Sequence, residues 1–226
     1  MRPHLAKQRT GAFTLIELLV VIAVFVIFFG LIDWGVPPSQ KRKAQRIACV
    51  SNLKEIGMAF RLWEGDHNDK YPMAVSATNG GAMEWVKPGK AHVLWQTVSN
   101  QLISPKVLWC PADTKATPAT NFSTGFSDAN LSYFVDLDAV ETYPQMILDG
   151  DDNLLVDGKP VQPGILNLRT GTTIAWTKDR HHGAGNIGMA DGSAQQVTSE
   201  GFQQATKEAL SSTLVPSSAN NRWLIP

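Results

Sequence analysis

Residues 13–32 read FTLIELLVVIAVFVIFFGLI, 20 residues that carry one charge, Glu17. As a helix rising 1.5 Å per residue, the block is about 30 Å long, the thickness of a bilayer's hydrocarbon core. No other stretch of the 226 residues constrains the fold as strongly. A secretory signal has a shorter apolar core and small residues after it; here Gly11 and Ala12 stand before the block. Residues 1–11 hold Arg2, Lys7 and Arg9 and no acid. That flank is expected to stay in the cytoplasm, with the rest of the chain outside. A plain anchor leaves Glu17 unexplained, because a carboxylate inside a membrane helix costs about 2.5–3.5 kcal/mol and normally has a function.

Asp33 and Trp34 mark the exit from the bilayer, and Pro37-Pro38 interrupt the helix, leaving room for a hinge. Ser39 is a candidate cap for a second helix over residues 36–64. Ile47, Val50, Leu53, Ile56, Phe60 and Trp63 recur in it at spacings of three and four, which predicts one apolar stripe. Lys41, Arg42, Lys43 and Arg46 cluster at its start, either as a solvated face or as a contact for lipid headgroups or a neighbouring subunit. Residues 65–226 read as a globular domain. Patterning there predicts a helix over 91–102, strands at 106–109, 131–136 and 172–177, and a hairpin over 186–198. Its turn is Asp191-Gly192, a pair suited to a two-residue connection with positive φ at both positions.

Lys+Arg and Asp+Glu balance at 20 each, which argues against nucleic acid as a main partner. Cys49 and Cys110 are the only cysteines, and the absence of a CxxC pair argues against a thiolate zinc site. Outside the cytoplasm the two can form a disulfide; the alternative is a pair of buried free thiols.

The stretch GAFTLIELLVVIA resembles the type IV prepilin processing motif: basic leader, small residue, Phe, then Glu at the fifth mature position. Near the other end, His181, nine further residues and Asp191-Gly192 resemble the H-x9-DG signature of one large, expanded family of prepilin-type proteins. CVSNLKEIGMAF and VLWCPAD match the style of that family. The resemblance implies a pilin-like α+β fold, with a long N-terminal helix packed on a small antiparallel sheet. It implies a cytoplasmic leader of residues 1–12, removed by a prepilin peptidase between Ala12 and Phe13, and N-methylation of Phe13. The family more often has Gly before the cut, and cleavage after Gly11 would leave Glu17 sixth. A membrane helix over residues 13–35, an extracytoplasmic domain and an inner-membrane location follow from the same resemblance. So do other pilin-like subunits and an inner-membrane assembly platform as partners. The new amine at Phe13 would be largely cationic at neutral pH, and Glu17 could neutralise it within one subunit or between two.

Catalysis finds little support in the sequence. His181 and Asp191 could act as a base and its orienter, but no GxSxG elbow accompanies them. The simpler expectation is that His181 hydrogen-bonds the hairpin while Asp191 and Gly192 build the turn. Asp149, Asp151 and Asn153 open like a calcium loop, yet Leu154 and Pro160 occupy the Gly and Glu positions of an EF-hand. A looser calcium cage is the residual expectation. The leading function is a structural subunit of a type II secretion pseudopilus or a related filament. The alternative is a membrane-tethered module binding carbohydrate or a secreted substrate, for which seven Trp residues offer aromatic faces.

Overall fold

The structure is a computed structural model that describes residues 13–32, 37–87, 89–211 and 221–226. The leader, with Gly11 and Ala12, and the exit residues Asp33 and Trp34 lie outside them. The chain divides into two units, Met1–Lys41 and Arg42–Pro226. In the first, α1 runs Leu15–Ile32.

The next helix, α2, runs Pro38–Gly65. Its start differs from the expectation at Ser39: the Pro37 carbonyl accepts the N–H groups of Gln40 and Lys41. Pro38 therefore occupies the first helical position, where a missing N–H costs nothing. The buried line of α2 is Cys49, Leu53, Ile56, Phe60 and Trp63. Ile47 is 62% exposed and Val50 only half-buried, so the expected stripe begins at Cys49 instead. At about 100° per residue Ile47 lies half a turn away from Ile56, whereas Cys49 lines up with Leu53 and Phe60.

Three short helices follow: α3 Met83–Val86, α4 Ala91–Thr97 and α5 Ser99–Leu102. The strands are β1 Tyr133–Asp136, β2 Ile147–Asp151, β3 Leu154–Val156, β4 Lys159–Pro160 and β5 Gly164–Asn167. They continue with β6 Ile174–Trp176, β7 Ala184–Met189 and β8 Ala194–Thr198; after α6, Ser199–Ser211, comes β9, Arg222–Ile225. The expected strand at 106–109 is a 3-10 turn, Pro105–Leu108. Pro105 fixes its first φ and the Ser104 hydroxyl accepts the Lys106 N–H, local chemistry that overrides the β-branched pattern.

The main sheet is antiparallel throughout, in the order β5-β9-β1-β2-β7-β8; β4-β3-β6 form a smaller one. Both faces of the main sheet are covered, and strand alternation sorts the side chains between them. Tyr133, Val135, Leu148 and Leu224 join the core of α2, with Phe60, Trp63, Tyr71 and Trp95. Phe134, Ile147, Ile187, Trp223 and Ile225 join Phe202 of α6 and Trp176 on the other side. Phe134 stacks on Trp223 at 4.3 Å and Trp176 on Phe202 at 4.2 Å between ring centroids. The α+β class and the helix-on-antiparallel-sheet arrangement expected from the sequence are therefore both present.

Asp136, at the end of β1, is fully buried, and one carboxylate oxygen accepts the Asp138 N–H at 2.9 Å. Burial pushes its pKa up to about 8, with the neighbouring Asp138 adding to the rise. The folded chain thus keeps a proton that the unfolded chain releases near pH 4. Its contribution is complete below about pH 4 and is lost as pH climbs through about 8. Chemical denaturation at stepped pH should show stability falling across that window, at up to about 1.4 kcal/mol per pH unit for this one group. Asp136→Asn should flatten the decline by that amount.

Candidate functional site

Two places in the chain carry the residues singled out by sequence, one in each unit. At the start of α1, Thr14 occupies the N-cap and Glu17 the third helical position. Glu17 Oε2 accepts both the Thr14 N–H (2.9 Å) and the Thr14 hydroxyl (2.8 Å), while the Glu17 N–H donates to Thr14 Oγ1 (3.3 Å). This is a capping box, and the T-x-x-E spacing is its signature in the sequence. Phe13, at the expected new terminus, precedes it and is exposed. Every described side chain of α1 is exposed, and the helix is 18 residues, or about 27 Å. Among the described residues, no helix is long and apolar enough to cross a membrane.

The second place lies on α2. Gln45, Cys49 and Asn52, spaced for one helix face, all hold the segment around Cys110. Gln45 Nε2 donates to the Pro111 carbonyl (2.8 Å). Asn52 Nδ2 donates to the Trp109 carbonyl (3.0 Å) and to Tyr133 Oη (3.1 Å). Between them, Cys49 and Cys110 form a disulfide with their Cα atoms 5.4 Å apart. The two cysteines are thus bonded rather than free.

His181 joins this junction. Its Nε2 lies 3.5 Å from Cys110 Sγ and 3.5 Å from Asp151 Oδ2. Burial, with Arg46 and Arg180 nearby, lowers the His181 pKa to about 4, so the ring is neutral near pH 7. Asp151 is fully buried and its pKa is raised to about 7, chiefly by desolvation. The contact is therefore a polar one near neutrality, with no fixed pair of opposite charges. Asp151 Oδ2 accepts the backbone N–H and side-chain amide of Asn186, at 2.8 and 2.9 Å. Alongside, buried Arg180 bridges Asp113 (2.7 Å) and Asp152 and donates to the Ser132 carbonyl (3.0 Å).

The two halves of the H-x9-DG spacing do not meet each other. His181 reaches Asp151, and Asp191 stands at the far end of β7, so a His181–Asp191 base and orienter is excluded by position. Both ends instead meet α2. Arg46 Nη2 donates to the His181 carbonyl (2.9 Å), and Arg61 Nη1 donates to the Asp191 carbonyl (2.8 Å). The arginines are 15 residues apart, about 22 Å along α2, and the six residues of β7 extend about 20 Å. The spacing works as a ruler: one strand long, it delivers a carbonyl to each end of a helix segment. His181 and His182 both sit at positive φ, +48° and +58°, a strained turn held in place by these contacts.

The hairpin turn also differs from the expected two-residue form. Gly192 N–H donates to the Met189 carbonyl and Met189 N–H to the Ser193 carbonyl, enclosing three loop residues. Only Gly192 has positive φ (+81°), which makes a type I turn followed by a bulge. Asp191 Oδ1 accepts the Ser193 N–H at 2.8 Å and so shapes the turn. Gly192 packs directly on Gly57 of α2, where an added Cβ would come within 3.0 Å of the Gly192 Cα.

The expected calcium loop is a strand. Asp149 and Asp151 lie on β2 with their carboxylates buried, and Asn153 follows, buried and directed at Thr177. Alternation places Asp149 and Asp151 on one face of the sheet, so they do not curl around a common centre as loop ligands do. Of the tryptophans, Trp63, Trp95, Trp176 and Trp223 are buried in the cores, and Trp85 is the exposed one among the described residues. Lys41, Arg42 and Lys43 are exposed, whereas Arg46 is committed to the His181 carbonyl.

Residues 7–32 match the family model of the prokaryotic N-terminal methylation motif. The match is confined to the N-terminal motif and covers 26 of the 226 residues. No curated protein and no solved structure matches the chain.

The clasp on α2 makes a sharp prediction. Gly57→Ala should cost about 1–3 kcal/mol in denaturant unfolding, because the helix and the hairpin turn are backbone to backbone there. Gly65→Ala, whose Cβ meets nothing, should be neutral or stabilising.

Proposed function

We propose that the chain is a pseudopilin-class subunit of a type II secretion pseudopilus or a related type IV pilin-like filament. The observation that carries this reading is the methylation motif over residues 7–32 with Glu17 as the one charge in the apolar block. A prepilin peptidase removes residues 1–12 by cutting between Ala12 and Phe13, and Phe13 is then N-methylated. The apolar block, with residues 33–35, anchors the chain in the inner membrane, and residues 65–226 form the extracytoplasmic domain. An assembly platform passes the subunit into a filament beside other pilin-like subunits.

The capping box refines what Glu17 does before assembly. In a bare helix start the carboxylate satisfies the Thr14 N–H and hydroxyl, so it is held in place and partly solvated by its own chain. Transfer to the amine of a neighbouring Phe13 then exchanges one set of donors for a full opposite charge in low dielectric. The exposed apolar helix offers the surface that such packing would cover. The carbohydrate-binding alternative loses its main support, since four of the tryptophans are core residues. The geometry around His181 points the same way: its ring is neutral and enclosed, and it faces a disulfide and a carboxylate.

The test is filament incorporation of Glu17 variants with the assembly machinery present. Glu17→Gln retains an oxygen for the capping box but loses the charge. Both Glu17→Ala and Glu17→Gln should lower the filament-associated fraction about tenfold or more, equivalent to about 1.4 kcal/mol of subunit affinity. Wild-type incorporation of Glu17→Gln would reduce Glu17 to a helix cap and remove the basis for charge-driven assembly.

A further inference from the structure

Cys49, Cys110, Asp151 and His181 each present one ligand atom, and these four atoms lie within 4.8 Å of one another in the buried core. They come from four separate elements: α2, the segment after Pro105–Leu108, β2 and the turn before β7. Two thiolates, one imidazole and one carboxylate are a complete tetrahedral donor set for zinc. We infer that the reduced chain binds a single zinc ion through Cys49, Cys110, His181 and Asp151, so that disulfide and zinc are alternative closures of one site.

The distances support a tetrahedron. Zinc–ligand bonds of about 2.0–2.3 Å place neighbouring ligand atoms about 3.3–3.8 Å apart. His181 Nε2 is already 3.5 Å from Cys110 Sγ and 3.5 Å from Asp151 Oδ2. The two sulfurs must separate, by a side-chain rotation at each cysteine, once the bond between them is gone, and all four ligand atoms already lie within 4.8 Å of one another. A second, independent observation also points to a ligand. Asp151 Oδ1 is buried with no hydrogen-bond partner, while Oδ2 has two from Asn186. An orphaned carboxylate oxygen is costly in a core unless a donor or a cation reaches it. The Asn186 contacts fix the carboxylate's orientation, as outer-sphere partners do in zinc sites. Two thiolates and a carboxylate around zinc leave one excess negative charge. Arg180, which acts on Asp151, and Arg46, bonded to the His181 carbonyl, are the cations beside it.

The chemistry balances in two steps. A dithiol or phosphine reductant supplies two electrons, two protons are taken up, and the disulfide becomes two thiols. Zinc then displaces those two thiol protons and takes His181 as neutral imidazole and Asp151 as carboxylate. Oxidation reverses both steps and expels the metal. Each closure joins α2 to the Cys110 segment, so the helix stays fastened to it in either redox state. The missing CxxC motif concealed this site, because its ligands are 30 or more residues apart along the chain.

The test uses the full chain in detergent micelles, reduced by a phosphine, dialysed against zinc and assayed for bound metal. Cobalt(II) substitution reports on the ligand geometry. The reduced chain should retain about one zinc per molecule and show the intense visible bands of tetrahedral cobalt with a thiolate charge-transfer band. The oxidised chain should retain none. His181→Ala and Asp151→Asn should each weaken zinc at least tenfold, with the fold checked by near-ultraviolet circular dichroism. Reduced wild type that retains no metal, whether folded or unfolded, overturns the inference. So does wild-type affinity in both variants, which would leave an unspecific dithiol. Octahedral cobalt spectra with no thiolate band would overturn it equally.

Discussion

The attachment of α2 to the sheet is the constraint on which the rest of the domain depends. It is made at two ends. At one end the Cys49–Cys110 bond, the Gln45 and Asn52 amides and the Arg46–His181 contact fix the helix. At the other, Gly57 lies against Gly192 and Arg61 holds the Asp191 carbonyl. Between them Leu53, Ile56 and Phe60 bury into a core whose opposite wall is Tyr133, Val135, Leu148 and Leu224. Hydrophobic burial supplies the free energy, but it is indifferent to a slide of the helix along its axis. Directional contacts at two points remove that freedom.

The same logic accounts for three stretches that look unrelated in sequence. CVSNLKEIGMAF contributes Cys49, Asn52 and Gly57; VLWCPAD contributes Cys110 and Asp113; the H-x9-DG spacing contributes His181, Asp191 and Gly192. All but Asp113 lie along α2 or touch it, and Asp113 holds Arg180, the neighbour of His181. Their residue types follow from what each point needs: sulfur for a covalent or metal closure, glycine for backbone contact, a strand of fixed length to reach from one end to the other.

Legibility in the sequence followed the range of the interactions. The apolar block, the amphipathic helix ending near Glu64 and the hairpin at Asp191-Gly192 rest on local patterning and are present, whereas the single helix expected over 91–102 is two, α4 and α5, broken at Val98. The pairing of β9 between β5 and β1 was not legible, because RWLI is a four-residue strand whose partners lie more than 50 residues away. Asp149 and Asp151 read as turn residues by composition, yet they occupy a central strand, where burial and the Asn186 contacts override propensity. The four-residue cluster was invisible for the same reason: proximity in space came from topology, not from spacing. At Glu17 the sequence carries two signals, a lone charge in an apolar block and the T-x-x-E spacing of a capping box.

The central claim is that the chain enters the pilin-class pathway through its N-terminus. Intact mass and N-terminal sequence of membrane-extracted protein, expressed with and without a prepilin peptidase, test it most directly. The account predicts an N-methylated Phe13 terminus that appears only with the peptidase. A chain that retains Met1 and residues 2–12 under both conditions would contradict it.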